Sequence, residues 1–275
     1  MKKLTFVLVL VLIMAFGLAN VAYAITNGQP DGVNHPYVGL IVFDDEDGPA
    51  WRCSGSLLSP TLVLTAGHCT DGAVAARVWF DEIVQGNPEY PYSGNTSYDG
   101  VPYTNPDYRS ADNPYGGGNG LPAFSYRDVG VVVLSEPVPL GVVNEYAALP
   151  VAGLVDTLKN KTDVEFVGYG VQEEHRGGGP PYWMGEKVRL YAPSQLVSGK
   201  FAHSAEFMRL SLNASQEKGG TCFGDSGGPD LLSGTDTVLA VNSYVTNYNC
   251  AGVGYSSRVD IQDILNWING SHPSQ

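Results

Sequence analysis

The sequence predicts an all-β body closed by one C-terminal helix, and three observations carry that expectation. Short runs rich in β-branched residues recur along the chain: Val38-Gly39-Leu40-Ile41-Val42-Phe43, Val129 to Leu134, Val164-Glu165-Phe166-Val167 and Val238-Leu239-Ala240-Val241. Each is bounded by Gly, Pro, Asp or Asn, the punctuation of strands joined by turns. Only one segment carries clear helical spacing: Ile261, Ile264, Leu265 and Ile268 recur on one face, with Asp260 as the expected N-cap and Asn269-Gly270 as the stop. No internal repeat is visible.

In chain order, the first element is a leader. Lys2-Lys3 precede an apolar stretch from Leu4 to Ala19, and a small-x-small site follows at Ala22-Tyr23-Ala24. This is the pattern of a secretory signal peptide over residues 1–24, and the stretch is short for a spanning helix, which needs roughly 20 apolar residues. Its removal takes two lysines and no acid, so the net charge moves from −13 to −15. So acidic a secreted chain is a poor candidate for nucleic acid or for anionic membrane, and stable membrane association is not expected. The remaining residues, 25–275, suffice for one large β-barrel domain or two small ones.

The chemistry is concentrated in a few places. Gly224-Asp225-Ser226-Gly227-Gly228-Pro229 sets a serine in a glycine-rich turn, where a hydrophobic core has no use for it. Serine becomes a nucleophile when a base takes its proton and backbone N–H groups hold the oxyanion on the attacked carbonyl. Gly224 and Ser226 are the expected N–H donors, since glycines let the backbone bend sharply and approach a substrate. The competing reading is a plain surface turn.

Upstream, Leu62-Val63-Leu64-Thr65-Ala66-Gly67-His68-Cys69 is an apolar run ending at a histidine, the side chain best matched to proton transfer near neutral pH. The third group is Asp128, which opens the apolar run Val129 to Leu134. A carboxylate there is expensive to desolvate unless hydrogen-bonded, and an imidazole N–H would satisfy it while fixing the ring's tautomer. The alternative is that Asp128 only caps the strand. Asp99, Asp107 and Asp112 lie among Pro, Gly and Asn with no strand after them.

Together with Cys53-Ser54-Gly55-Ser56-Leu57-Leu58-Ser59-Pro60 and Gly168-Tyr169-Gly170, these motifs make the chain from about Ile25 to its end resemble the trypsin-like, chymotrypsin-fold (peptidase S1) serine proteases, with that family's order of His, Asp, Ser. Gly67 stands where alanine is usual, and Tyr169 and Tyr244 where tryptophan is typical. The resemblance implies two antiparallel six-stranded β-barrels, connected near residues 135–160, with the active site between them and the C-terminal helix packed on the second. It implies a secreted, monomeric serine endopeptidase acting on protein or peptide substrates, with no cofactor and no metal. The five histidines and four cysteines show no metal-ligand spacing.

Four cysteines allow three connectivities, and export favours their pairing. The resemblance selects Cys53 with Cys69 and Cys222 with Cys250. It also implies that a new amine at Ile25, within Ile25-Thr26-Asn27-Gly28, pairs with Asp225, so that signal cleavage after Ala24 would itself create the activating end. For specificity, the family's primary pocket would have Gly220 at its base, excluding a tryptic preference, Ser243-Tyr244-Val245 as a wall narrowed by Val245, and Gly254 on the facing wall. Small or medium apolar side chains are the expected preference. Two rival readings are a catalytically inactive relative that binds protein, and a serine hydrolase acting mainly on esters. Finally, the stretch 86–124, with six tyrosines and six prolines, reads as a loop insertion, either solvated or an aromatic lid.

Overall fold

The computed structural model describes residues 25, 28–110, 125–175, 182–213, 218–247 and 249–272. The proposed signal peptide, Asp112 and the end of the Tyr/Pro-rich stretch lie outside these residues.

Among the described residues, fifteen strands build two sheets and a small hairpin. The first sheet closes on itself: β2 (Val38–Asp45), β3 (Gly48–Ser59), β4 (Leu62–Thr65), β7 (Gly130–Leu134), β6 (Ser97–Thr104) and β5 (Ala75–Trp79) form a barrel in that order. Closure removes both sheet edges. β6 falls inside the stretch expected to be an insertion, and it corrects that expectation. Its residues Gly100 to Thr104 pair with Leu134 to Gly130, so the segment is an integral barrel strand whose Pro and Tyr content hides its alternation.

The second sheet has seven strands in the order β1 (Gln29–Pro30), β11 (Leu190–Gln195), β8 (Asp163–Gly168), β13 (Pro229–Leu232), β14 (Val238–Val245), β15 (Gly252–Arg258) and β12 (Phe207–Leu212). Six of these match the expected second barrel, and β1 adds an edge from the N-terminal segment. The sheet curls without a full ladder between β11 and β12; a single bridge, Leu196 to Leu210, joins those ends. β9 (Glu173–His175) and β10 (Tyr182–Met184) form the separate hairpin.

Two cores follow from this arrangement. One fills the first barrel and continues between the sheets, from Leu40, Ile41 and Trp79 through Val132 to Tyr169, Leu231 and Val241. The other fills the second sheet's concave face, with Val164, Phe166, Met208, Leu210 and Leu239, and it contains the fully buried Ile25. Arg189 ties the halves together. Nearly buried itself, it donates Nε to Asp31 at 2.8 Å, and Nη1 to the carbonyls of Val38 at 3.2 Å and Phe80 at 3.0 Å.

The C-terminal helix, α2, is Gln262–Ile268 and buries Ile264, Leu265 and Ile268, as its spacing predicts. Two details differ from expectation. Ile261 occupies the N-cap position, because the Asp260 carboxylate is already committed to Arg258 and to the Val155 N–H at 2.8 Å. Ile264 and Ile268 join the core shared by the first barrel and the back of the second sheet, rather than the second core.

Candidate active site

The histidine is delivered by a sharp transition. β4 ends at Thr65, and a single helical turn, α1 (Gly67–Thr70), follows at once, so His68 leaves the barrel rim with its side chain partly exposed. Its ring Nδ1 lies 2.8 Å from Asp128 Oδ2, and its backbone N–H donates to Asp128 Oδ1 at 2.7 Å. Asp128 is completely buried just before β7, the strand that pairs with β4, so barrel register brings the two residues together. Ser243 Oγ, near the end of β14, also donates to Asp128 Oδ2.

These contacts set the electrostatics. Burial pushes the Asp128 carboxyl up, but the charge and hydrogen bonds of His68, with the Ser243 hydroxyl, outweigh it and hold the carboxyl below its ordinary range. For His68 the balance runs the other way. Burial favours the neutral ring, and the Asp128 charge and hydrogen bond exceed that effect, raising the imidazole above its usual value.

Gly67 explains one departure from the family pattern. A Cβ there would lie 2.9 Å from the Tyr108 ring and 3.2 Å from Asp128 Oδ1. The tyrosine occupies the space that a methyl group at position 67 would need.

Ser226 comes from the other half of the molecule. Its turn is sewn to the histidine's segment: the Ser54 N–H donates to Ser226 O at 2.9 Å, and Thr65 Oγ1 donates to Ser54 O at 2.9 Å. Gly227 has φ +76, and a Cβ there would lie 2.1 Å from Thr65 Oγ1 and 2.6 Å from Ala66 N, so only glycine lets the turn approach so closely. Among the described residues, Ser226 Oγ makes no hydrogen bond to His68; the ring's Nε2 stands 3.7 Å from Cys69 Sγ. Catalytic hydrogen bonds of this kind are often long in a ligand-free enzyme and tighten when substrate is bound.

Asp225 points away from the serine into the interior. Its Oδ1 accepts from the Gly170 N–H at 2.8 Å and its Oδ2 from the Cys222 N–H at 2.9 Å. Burial pushes its carboxyl up to about 7, although those N–H groups and the charge of Arg52 pull the other way. In this chain the Ile25 nitrogen is a peptide nitrogen, joined to Ala24, and no ion pair to Asp225 occurs among the described residues.

Both expected disulfides are present, Cys53 with Cys69 and Cys222 with Cys250. The first lies beside His68 and the second anchors the serine loop. Cys53, Cys69 and His68 also form the one described grouping with metal-ligand proximity, but its sulfurs are tied up in the disulfide and offer no thiolate.

Next to Ser226 opens a cleft of about 410 Å³, lined by residues 221–223, Ser226 and residues 242–247. Ser243 and Val245 are on its wall, and Phe223 stands 43 % exposed at its rim. Gly220 and Gly254 are not in the lining. Gly254 sits beside Val245 on the adjacent strand, where a Cβ would meet Leu212 at 3.2 Å, so it does not face Val245 across a pocket. The residue that sequence reasoning left without a catalytic role is Ser243, expected only in a pocket wall. Two polar residues, Asn242 and Ser243, directly after the apolar run Val238 to Val241 were its one signal.

The sequence model of the trypsin family matches residues 25–268. Among curated proteins, Venom serine protease Bi-VSP of Bombus ignitus is 26 % identical over 255 residues, covering 87 % of this chain and 66 % of that relative, so this chain spans just under two thirds of its length. Chymotrypsin-like elastase family member 1 of Felis catus is 25 % identical, covering 95 % of this chain and 96 % of the relative. A solved structure described as HL collagenase superposes with a TM-score of 0.63 at 20 % identity, covering 92 % of this chain and 99 % of the other, which speaks to the fold. By the extent of the family match and the fold it shares, this chain belongs to the trypsin family of serine proteases.

Proposed function

We propose that this chain is a secreted serine endopeptidase that works through Ser226, His68 and Asp128. The observation that carries the reading is the Asp128 carboxylate, fully buried yet bonded twice to His68, in a trypsin-family chain that retains the serine turn. Ser226 attacks the peptide carbonyl, and His68 takes its proton and returns it to the leaving amine. Asp128 orients the ring and stabilises the imidazolium. The N–H groups of Gly224 and Ser226 hold the oxyanion, and water then releases the acyl group by the same path.

The primary specificity is non-tryptic, for small or medium apolar side chains. Val245 in the cleft lining narrows it, and among the described residues no acid is in that lining. Gly220, six residues before the serine, is not acidic either, though it lies outside that lining.

Activation follows from release of the amine at Ile25. Asp225 is buried with two N–H donors and, among the described residues, no cation in contact, and Ile25 is already buried in the second core. An ammonium at Ile25 would supply the missing counter-charge. Active protein should therefore begin at Ile25, read by mass spectrometry; active protein with another first residue would rule this route out.

The test of the main reading is labelling with a fluorophosphonate, with Ser226→Ala as the control, alongside matched amide and ester substrates. Labelled wild type that cleaves peptides supports an endopeptidase. An unlabelled chain would mark a binding protein, and turnover of esters alone would mark an esterase. As to location, no helix among the described residues is long and apolar enough to cross a membrane.

A further inference from the structure

The residue that precedes Asp128 has an unusual backbone. Arg127 has φ +51, in the left-handed region that a residue with a Cβ enters only at a cost. Among the described non-glycine residues Ile25, Lys161 and Cys250 share that region, but only Arg127 adjoins a member of the proposed triad. Just after it, the Val129 N–H donates to the Arg127 carbonyl at 2.7 Å, closing a three-residue turn with Asp128 at its centre. Just before it, Tyr126 exchanges both backbone hydrogen bonds with Arg109, at 3.0 and 2.9 Å. The chain is pinned on either side of one strained residue, so the rotation at Arg127 decides where the Asp128 carboxylate points.

Strain of this kind persists only where the surroundings over-determine it. The Arg127 side chain provides that constraint. Its guanidinium carbon lies 5.4 Å from the centre of the Tyr126 ring, and its Nε lies 3.3 Å from Oε2 of Glu206, with the two side chains only 13 % and 12 % exposed. Glu206 belongs to the other half of the molecule, directly before β12. Its N–H donates to Ser204 Oγ at 3.2 Å, and its carbonyl accepts from the Arg258 N–H at 3.1 Å, which anchors it to the second sheet. The pairing is one of charge rather than of an aligned hydrogen bond, and among the described residues neither Nε nor Oε2 has a hydrogen-bond partner. The charges of Arg258 and of Asp263, on α2, also act on the pair. Separating it would leave a nearly buried charge without its counterpart, so the arginine is not free to swing out.

We propose that Arg127 and Glu206 form a positioning clamp, in which the second sheet holds Arg127 in its left-handed conformation and thereby fixes the Asp128 carboxylate against His68. The inference rests on the endopeptidase reading and deepens it. Neither residue takes part in the chemistry; both act through Asp128. With the clamp gone, a residue bearing a Cβ at position 127 relaxes toward an ordinary negative φ, the three-residue turn opens, and the carboxylate draws back from the ring. His68 then loses part of the charge and hydrogen bonding that raise its pKa. Glycine needs no clamp, since it occupies the left-handed region without steric cost.

The experiment measures peptide cleavage against pH for the processed full chain and for Arg127→Ala, Arg127→Gly and Glu206→Gln. Rates are expressed per Ser226 labelled to completion by fluorophosphonate, so neither they nor the pH midpoints depend on how much protein is folded. Arg127→Ala should lower kcat about fivefold to tenfold with KM little changed, and Arg127→Gly should recover most of that loss. The acid-limb midpoint of kcat/KM should move down by about half a pH unit in Arg127→Ala and Glu206→Gln, and stay near wild type in Arg127→Gly. The direction is the telling part for Arg127→Ala, because loss of a neighbouring cation would by itself move the midpoint up. A midpoint at or above wild type in Arg127→Ala or Glu206→Gln, or alanine and glycine variants that behave alike, overturns the clamp while peptides are still cleaved. If wild type cleaves no peptide and fluorophosphonate does not label Ser226, the endopeptidase reading fails and the clamp falls with it.

Discussion

Ser243 donates its hydroxyl to Oδ2 of Asp128, the same oxygen that pairs with His68 Nδ1. The second sheet thereby reaches across the cleft to hold the carboxylate of the first barrel. Asp128→Asn should keep the fold but reverse the hydrogen-bonding sense toward His68, and in Ser-His-Asp enzymes such a change costs about 10⁴ in kcat. Ser243→Ala removes one hydrogen bond to a charged group, worth about 1.5 to 3 kcal/mol, so a loss of roughly ten- to a hundredfold is expected. Steady-state kinetics on one peptide checks both. An Asp128→Asn enzyme of near wild-type rate would assign the role to another acid.

The acid limb of the pH profile carries a second expectation. His68 works as a base only when neutral, and Asp128 raises its pKa above the ordinary histidine value. Activity of the free enzyme should therefore fall as pH drops through a midpoint above about 6.5. In Asp128→Asn the raising charge is gone while burial still favours the neutral ring, so the midpoint of the residual activity should move to lower pH. Profiles of kcat/KM for the two proteins measure this. A midpoint unmoved by the substitution would mean that the carboxylate does not act on the titrating group.

Gly67 and Tyr108 make a coupled pair. Adding a methyl group at position 67 places it 2.9 Å from the tyrosine ring, closer than real contacts allow. Overpacking of this kind costs about 1 to 3 kcal/mol, and here it also pushes on the turn that carries His68. Gly67→Ala should therefore lower both stability and kcat in the wild-type background. In a Tyr108→Ala background the same substitution should cost less, since only the tight approaches to the Val129 N at 3.1 Å and Asp128 Oδ1 at 3.2 Å remain, so the two effects should be non-additive in urea unfolding. Strict additivity would show that the turn relaxes without the ring.

How much of this was legible in the sequence depended on what each residue needs from its neighbours. The serine turn, the histidine and Asp128 announce themselves locally, because a glycine-flanked serine or a carboxylate at the head of Val129 to Leu134 has few other uses. β6 did not, since Pro102, Tyr98 and Tyr103 on a half-exposed strand break the alternation by which strands are read. Asp260 has the chemistry of an N-cap, and only tertiary structure reveals that Arg258 and the Val155 N–H claim it first. Gly254 was misplaced for a similar reason, because whether two segments face or flank each other is set by sheet register.

Asp230 offers the clearest link between pH and stability. It lies on β13 between Phe166 and Ala240, fully buried, with neither carboxyl oxygen hydrogen-bonded. Burial pushes its pKa well above the ordinary value, and the nearby Ser256 hydroxyl offsets only part of that. The unfolded chain ionises Asp230 near pH 4, while the folded chain keeps it protonated. Folded protein thus binds more protons than unfolded protein above pH 4, and stability must fall as pH rises through that window. Asp230→Asn keeps the shape and removes the titration. The variant should match wild type near pH 4 and gain on it by about 1.4 kcal/mol for each pH unit above, until the folded carboxyl itself ionises. Urea unfolding at pH 4, 5 and 6 reads the difference directly. Parallel curves would mean that Asp230 is ionised in the folded protein, held by a partner that its buried setting does not reveal.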